Sequence, residues 1–464
     1  MTEQPQPKTS NGWRSWLTAG RVLIIGLAGV IVVLGLILII TAVEEADRAA
    51  EGRERVDALA NSSDRCVTCH RRTTPGIVQQ YGFSTMAAAN VACVDCHEVD
   101  ENYAGAVEHE GTYVLASPTT AKCETCHQKE VREFYASRHS IPAYVAMVGL
   151  ENISGDLLAR YEAIPEAAVK PNEMRNSLHA IEGPAVTRFA CESCHNIGKP
   201  AEDGSIGQCQ KCHLRHEFSL VQARKPETCN ACHIGPDHPQ WEIYVESPHG
   251  IAYHTGGEYW NWDAEAGTLT VEDFPAPTCA ICHMSGFGST GTTHDIGDRL
   301  TWYLFQPISE RRPSWQDNLV RMQNVCLECH NKNFIEGFYT DFDALVGAIN
   351  NWVETSDEMI APLKEQGLMS PLPFDEPIDF VYFELWHHWG RTAKFGASMQ
   401  GPDYTQWHGA YEILKELEEL EELVNAKLAG EIPAVSPRVV NDGVASPPPL
   451  GATPEEAEAP ASGE

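Results

Sequence analysis

The hydrophobic pattern of the chain is most uneven near its start. Residues 1–21 are polar and include Lys8, Arg14 and Arg21, whereas residues 22–43, VLIIGLAGVIVVLGLILIITAV, carry no charge. A helix of that length rises about 33 Å, enough to cross a hydrocarbon core of about 30 Å. The apolar part of a cleaved leader normally runs to about 7–15 residues, so the length favours a retained anchor. Glu44, Glu45 and Asp47 follow at once. Positive charge before the span and acid after it predict a cytoplasmic N-terminus at 1–21 and a single-pass transmembrane anchor at 22–43. The body then lies on the periplasmic or extracytoplasmic side of the inner membrane.

Residues 44–62 read as a short helical stalk. From 336 to 430 the chain is helical, because DFDALVGAINNWVETSDEMIAPLKEQ and GAYEILKELEELEELVNAKLAGE carry apolar residues at three- and four-residue spacing. Residues 431–464 hold many Pro, Ala, Gly and Glu with few large apolar residues, the composition of a disordered acidic tail. No long alternating strand pattern appears. The predicted fold class is therefore mostly α, with long loops and a helical C-terminal part behind one N-terminal transmembrane helix.

Charge narrows the partners. The chain has 464 residues and a formal net charge of −32. That argues against nucleic acid and anionic headgroups, and for a basic partner or plain solubility.

Cysteine spacing supplies the chemistry. All sixteen cysteines fall in eight C-x-x-C-H strings, and none is left over. They are Cys66, Cys69 and His70; Cys93, Cys96 and His97; Cys123, Cys126 and His127; Cys191, Cys194 and His195. Then follow Cys209, Cys212 and His213; Cys229, Cys232 and His233; Cys279, Cys282 and His283; Cys326, Cys329 and His330. This is the c-type haem attachment pattern. Two thiols add to the haem vinyl groups, and the next histidine turns back to ligate the iron. Structural zinc and redox C-x-x-C pairs do not require that histidine. Eight covalent haems are predicted, held by residues 63–335, and they contribute much of the apolar interior themselves. Attachment of c-type haem after export agrees with the predicted location.

Eleven further histidines remain: His109, His139, His179, His216, His238, His249, His254, His294, His387, His388 and His408. A low-spin electron-transfer haem takes a second axial ligand, often His or Met. There are enough histidines to close every iron, so counting does not separate an electron wire from a catalyst with an open iron.

Four longer strings carry more information. They are CQKCHLRHEFSLVQARKPETC, CNACHIGPDHPQWEIYVESPHGIAYH, CAICHMSGFGSTGTTHDIGDRLTW and YFELWHHWGRTAKFGASMQGPDYTQWHG. Over roughly residues 60–425 the chain resembles the octahaem hydroxylamine oxidoreductase family, most strongly from 205 to 410. The resemblance implies that the fourth haem, on Cys191, Cys194 and His195, is catalytic and open on its distal face. It places Asp237 and His238 of GPDHPQ over that iron. It matches Tyr404 of GPDYTQWHG to the tyrosine that crosslinks to the catalytic haem of a neighbouring subunit, giving a tyrosine-modified haem in a homotrimer. Seven closed haems then need seven distal ligands. The choices are His109, His139, His179, His216, His254, His294 and one of His387 and His388, here His388. His249 is the alternative to His254, and His408 is structural or near the site. The front anchor and the acidic tail depart from the soluble members of the family.

The implied reaction is oxidation of hydroxylamine to nitric oxide or nitrite, with electrons relayed through seven bis-His haems to a cytochrome or a quinone-linked protein. An Asp–His pair suits it, because histidine titrates near neutral pH and the oxidation releases protons with electrons. The alternatives are reduction of nitrite or hydroxylamine to ammonia, oxidation of hydrazine, and a non-catalytic membrane-anchored electron-transfer cytochrome. Tyr404 is the residue that argues against the reductive reading.

Overall fold

A computed structural model describes residues 19–164, 181–370 and 372–432. His179, the first residues of the predicted cytoplasmic segment and almost all of the predicted tail lie outside the described residues. The chain forms two compact units, one of residues 1–92 with 215–217 and one of residues 93–214 with 218–464. The first haem string therefore belongs with the anchor and stalk, and the other seven share the second unit.

In the first unit one helix runs from Ala19 to Ala60, joining the predicted anchor and stalk without a break. Ile24, Leu27, Ile31, Leu34 and Ile39 are all exposed along it. Counting only the described side chains, no helix is long and apolar enough to cross a membrane. The foot of this helix packs on the helix Pro75–Phe83. Gly82 makes the close approach possible, since a Cβ there would sit 2.5 Å from Val56 Cγ2. Arg55 Nε donates to the Gly82 carbonyl at 3.0 Å, which fixes the crossing.

The second unit is helical with long connections. Its one described sheet is a hairpin, Val107–His109 paired antiparallel with Thr112–Val114. The 34-residue helix Lys332–Glu365 is its spine. Asn331 caps its start, the side chain accepting from Phe334 N. Phe342, Val346, Ile349 and Val353 repeat every three or four residues and form one buried stripe, packed on Phe305, Leu385, Trp386, Ala393 and Ile413. Farther along, Ile360 and Leu363 meet Ile378, Val381, Leu420 and Val424. Burying each such side chain stabilises the unit by about 1.5–3 kcal/mol. Between residues 141 and 325 two further described apolar clusters lie apart from these. Two short π-helical segments, Glu384–Gly390 and Gln406–Ala410, interrupt the C-terminal helices. Wide turns of this kind concentrate at functional sites.

One ion pair ties the last helix to the rest. Lys427 Nζ lies 2.8 Å from Glu376 Oε2, with both side chains almost fully buried. Removing one partner of a buried pair leaves a stranded charge, at a cost of about 3–5 kcal/mol. Lys427→Met should therefore lower the stability of the holoprotein by that order in urea unfolding followed by circular dichroism. A loss under about 1 kcal/mol would show that the pair does not hold this helix in place.

Candidate functional site

Each attachment string folds as one helical turn. The His127 amide donates to the Cys123 carbonyl at 2.8 Å, and His213, His233 and His330 repeat that bond to Cys209, Cys229 and Cys326. The turn puts both thiols and the imidazole on one side, as a haem attached through two sulphurs and ligated by the histidine requires. Several of these histidines have Nδ1 engaged. His97 Nδ1 donates to the Leu115 carbonyl and His195 Nδ1 to the Ala143 carbonyl, each at 2.7 Å. His70 Nδ1 lies 2.7 Å from Thr74 Oγ1, and His233 Nδ1 3.2 Å from Gln240 Oε1. A bonded Nδ1 fixes the ring and leaves Nε2 for iron. Among the described residues no three His, Cys, Asp or Glu side chains gather to hold a bare metal ion. The residues fit covalent haem, and they fit it motif by motif.

The distal side is legible from ring spacing. Two imidazoles on one iron have ring centres roughly 6 Å apart, given metal–nitrogen bonds of about 2 Å. His213 and His294 lie 6.3 Å apart and nearly stacked. His249 and His330 are 6.2 Å apart, and His139 and His233 5.9 Å. His233 has a second neighbour, His238, at 6.2 Å. Asp237 Oδ1 engages His238 Nδ1 at 2.9 Å, which ties that ring to a carboxylate. His254 packs against Tyr253 and Trp241. Of the alternatives His249 and His254, it is therefore His249 that faces a proximal ring. His216 lies in the first unit, its amide 3.4 Å from Gln80 Oε1. His109 ends the first strand of the hairpin on an exposed edge. His388 sits among Phe383, His387 and Trp389.

Sulphurs of different strings also lie close together: Cys123 beside Cys209, Cys194 beside Cys232, and Cys229 beside Cys279. The third string thus adjoins the fifth, and the sixth adjoins both the fourth and the seventh.

The fourth string lies within one polar cluster. Asp237 Oδ2 is 3.8 Å from His387 Nε2 and 3.8 Å from Arg391 Nη1, while its Oδ1 holds His238. Burial would raise the Asp237 carboxyl pKa, but His238, His387 and Arg391 together hold it well below the usual range. Burial would lower His238, yet Asp237 more than offsets that and shifts it upward. Both groups also act electrostatically on His195. A carboxylate that stays ionised beside an imidazole of raised proton affinity can take protons from a bound substrate. Sequence reasoning misses the part that His387 and Arg391 play here. Their four-residue spacing in HHWGR, which puts them on one helical face, is the available signal.

Tyr404 lies on the short helix Pro402–Thr405, which leads into the second π-helical segment. Its ring stacks on His408 at 5.0 Å, and His408 Nδ1 lies 2.9 Å from Asp403 Oδ2. The helix Arg391–Met399 backs directly onto this segment. A Cβ on Gly396 would fall 2.5 Å from Thr405 N and 2.8 Å from Tyr404 C. Burial and the nearby Glu242, Glu246 and Asp403 raise the phenol pKa. The described contacts of Tyr404 do not include His195, Asp237 or His238. Trp407 and Tyr411, 5.3 Å apart, are exposed beside it.

Known proteins resemble this chain. The family described as "Seven times multi-haem cytochrome CxxCH" matches residues 89–371. That range holds seven of the eight strings, and the first precedes it. A probable nitrite reductase–hydroxylamine oxidoreductase fusion protein of Kuenenia stuttgartiensis is 31% identical over 246 residues. The match covers 48% of this chain and 25% of that protein, so the chain spans about a quarter of the relative's length. Among solved structures, a hypothetical multiheme protein is similar with a TM-score of 0.69 at 22% identity, covering 82% of this chain and 99% of that one. A reducing HAO-like protein complex of Kuenenia stuttgartiensis gives a TM-score of 0.58 at 21% identity, covering 82% and 87%.

Ring spacing makes a discriminating prediction. His249→Ala should turn one haem high-spin in the electron paramagnetic resonance spectrum of the ferric protein, and His254→Ala should not. A high-spin signal from His254→Ala alone would reverse the assignment.

Proposed function

We propose that this chain, which belongs to the multihaem cytochrome CxxCH family, oxidises hydroxylamine to nitric oxide or nitrite at the haem site of Cys191, Cys194 and His195. The observation that carries the reading is the cluster of Asp237, His238, His387 and Arg391 beside that string. Its redox character and its hydroxylamine oxidoreductase-like relatives support an oxidoreductase. Eight c-type haems are proposed, one per string. When bound, such a haem supplies an iron that exchanges electrons and, where no distal ligand closes it, a coordination position for substrate.

The protein's own part is positioning and proton transfer. His195 is fixed by the Ala143 carbonyl, so its Nε2 can only face the prosthetic group. Asp237 stays ionised and orients His238, whose raised proton affinity suits it to accept protons from hydroxylamine. Arg391 donates to His387 Nε2 at 2.9 Å, which leaves the His387 proton on Nδ1 and makes this ring a donor. The closeness of Cys194 to Cys232, and of Cys229 to Cys279, supports the sixth and then the seventh string as those that would hold the haems next in line for electrons from the fourth.

Tyr404 is proposed as the crosslinking residue to the catalytic haem of a neighbouring copy in a homotrimer. Its partly exposed seat, flanked by the exposed Trp407 and Tyr411, suits a surface that another copy covers. The apolar run 22–43, whose described side chains such as Ile24, Ile31 and Ile39 are exposed, supports a single-pass anchor in the inner membrane with the haem domain outside the cytoplasm. The electron acceptor is proposed as a cytochrome or a quinone-linked protein. The second reading is reduction of nitrite or hydroxylamine, favoured by the reducing complex among the structural neighbours.

Two measurements test this. The wild-type protein should run as a covalent trimer in denaturing electrophoresis, and Tyr404→Phe should run as monomers that still carry eight haems by intact mass. A wild-type monomer under those conditions would remove the crosslink. His238→Ala should lower kcat for hydroxylamine oxidation about 100-fold or more with the haem complement intact. Loss of less than about threefold would exclude it as the proton acceptor.

A further inference from the structure

Arg391 is the buried cation of the cluster. Its guanidinium lies beneath the first π-helical segment, with the side chain 9% exposed. A guanidinium has five N–H groups. Three are used here, Nε and Nη2 to the Phe305 carbonyl at 3.2 and 3.0 Å, and Nη1 to His387 Nε2 at 2.9 Å. The only carboxylate within ion-pair reach among the described residues is Asp237, at 3.8 Å, and Asp237 is already shared with His238 and His387. Lys394, one turn on, is buried as well and bonds the Tyr303 carbonyl and Ser309 Oγ, both neutral. Burial and the nearby Arg391 and Arg312 hold the Lys394 pKa well below the ordinary lysine range, so Arg391 is the charge this interior must balance, against a carboxylate it shares with His238 and His387.

An unfilled hydrogen-bond donor lies there too. His387 Nδ1 is buried and without an acceptor. With His387 Nε2 accepting from Arg391, its Nδ1 must carry the hydrogen, so this orphan is a donor. A buried donor without an acceptor costs about 1–3 kcal/mol, so this ring, with the two spare N–H groups of Arg391, favours a ligand that brings oxygen lone pairs. A buried cation short of negative charge favours one that also brings a charge.

We propose that Arg391 is a specificity-determining residue that makes the open site of the fourth haem retain a small oxyanion of nitrogen, of the nitrite class, in preference to neutral ligands. The inference rests on the proposed open haem at Cys191, Cys194 and His195 and deepens that reading. Hydroxylamine is neutral near neutral pH, so the residue discriminates between the two ends of the reaction. It holds the oxidised, anionic end at the site, which delays release of nitrite in one direction and gathers it in the other.

The test is an optical titration of the ferric holoprotein with sodium nitrite and, separately, with nitric oxide. Arg391→Gln removes the charge while keeping an amide that can reach the Phe305 carbonyl, and Arg391→Lys keeps the charge. In Arg391→Gln the Kd for nitrite should rise about tenfold or more, the scale of one charge-assisted hydrogen bond. Its Kd for nitric oxide should stay within about twofold. Arg391→Lys should keep nitrite within about threefold of wild type. Equal weakening of both ligands would assign Arg391 to packing or to a haem propionate and overturn the proposal, as would unchanged nitrite affinity in Arg391→Gln. If neither ligand perturbs the wild-type spectrum, the haem is closed, and the open-site reading fails together with this one.

Discussion

Imidazoles held about 6 Å apart, the spacing that two rings on one iron would need, join distant segments of this chain. A proximal histidine follows its cysteines by one residue, but its partner comes from elsewhere in the chain. His213 faces His294, His233 faces His139, and His330 faces His249. Each pairing requires two distant segments to be held near 6 Å, which staples a loop-rich chain across itself. Apolar clusters of five and six buried residues lie between residues 141 and 325, and the largest, of nine, packs on the helix Lys332–Glu365. The cysteine-bearing region adds attachment strings to such packing, and the C-terminal helices, which carry no cysteine, rely on packing alone.

That difference decides which features are legible in the amino-acid sequence. The strings Cys66–His70 to Cys326–His330 are legible because thioether chemistry demands local spacing. The helical stripe of Phe342, Val346, Ile349 and Val353 is legible because burial follows helical periodicity. Asp237 and His238 are legible through resemblance, and their contact at 2.9 Å gives that likeness a geometry. Distal partners are not legible, because nothing in sequence encodes which loop crosses which haem. His249 and His254 lie little more than one turn apart, and only packing against Tyr253 and Trp241 separates one from the other. Arg391 escapes notice because an arginine in a helix is ordinarily a solvated one.

Tyr404 shows how backbone sterics position a side chain. Its segment lies flat on the helix Arg391–Met399, and Gly396 leaves the room for it. The same helix carries Arg391 at its start. The Asp237 cluster and the tyrosine seat therefore share one helix. The π-helical turns at both junctions, Glu384–Gly390 and Gln406–Ala410, set how that element is angled.

Charge acts on two length scales in this molecule. A net charge of −32 gives a field that repels anions, but salt screens it over about 8 Å under physiological conditions. A buried guanidinium is screened far less, because little water lies between it and its neighbours. The two fields therefore do not cancel. The outer one discourages anions from gathering at the surface, and the inner one governs what is held once a molecule is inside. Asp237 completes the balance. Held ionised by His238 and Arg391, it prevents the interior from being a bare cation site, and it raises the proton affinity of His238. A carboxylate, an imidazole and a buried guanidinium thus meet in one interior, where the field of each reaches the others little screened by water.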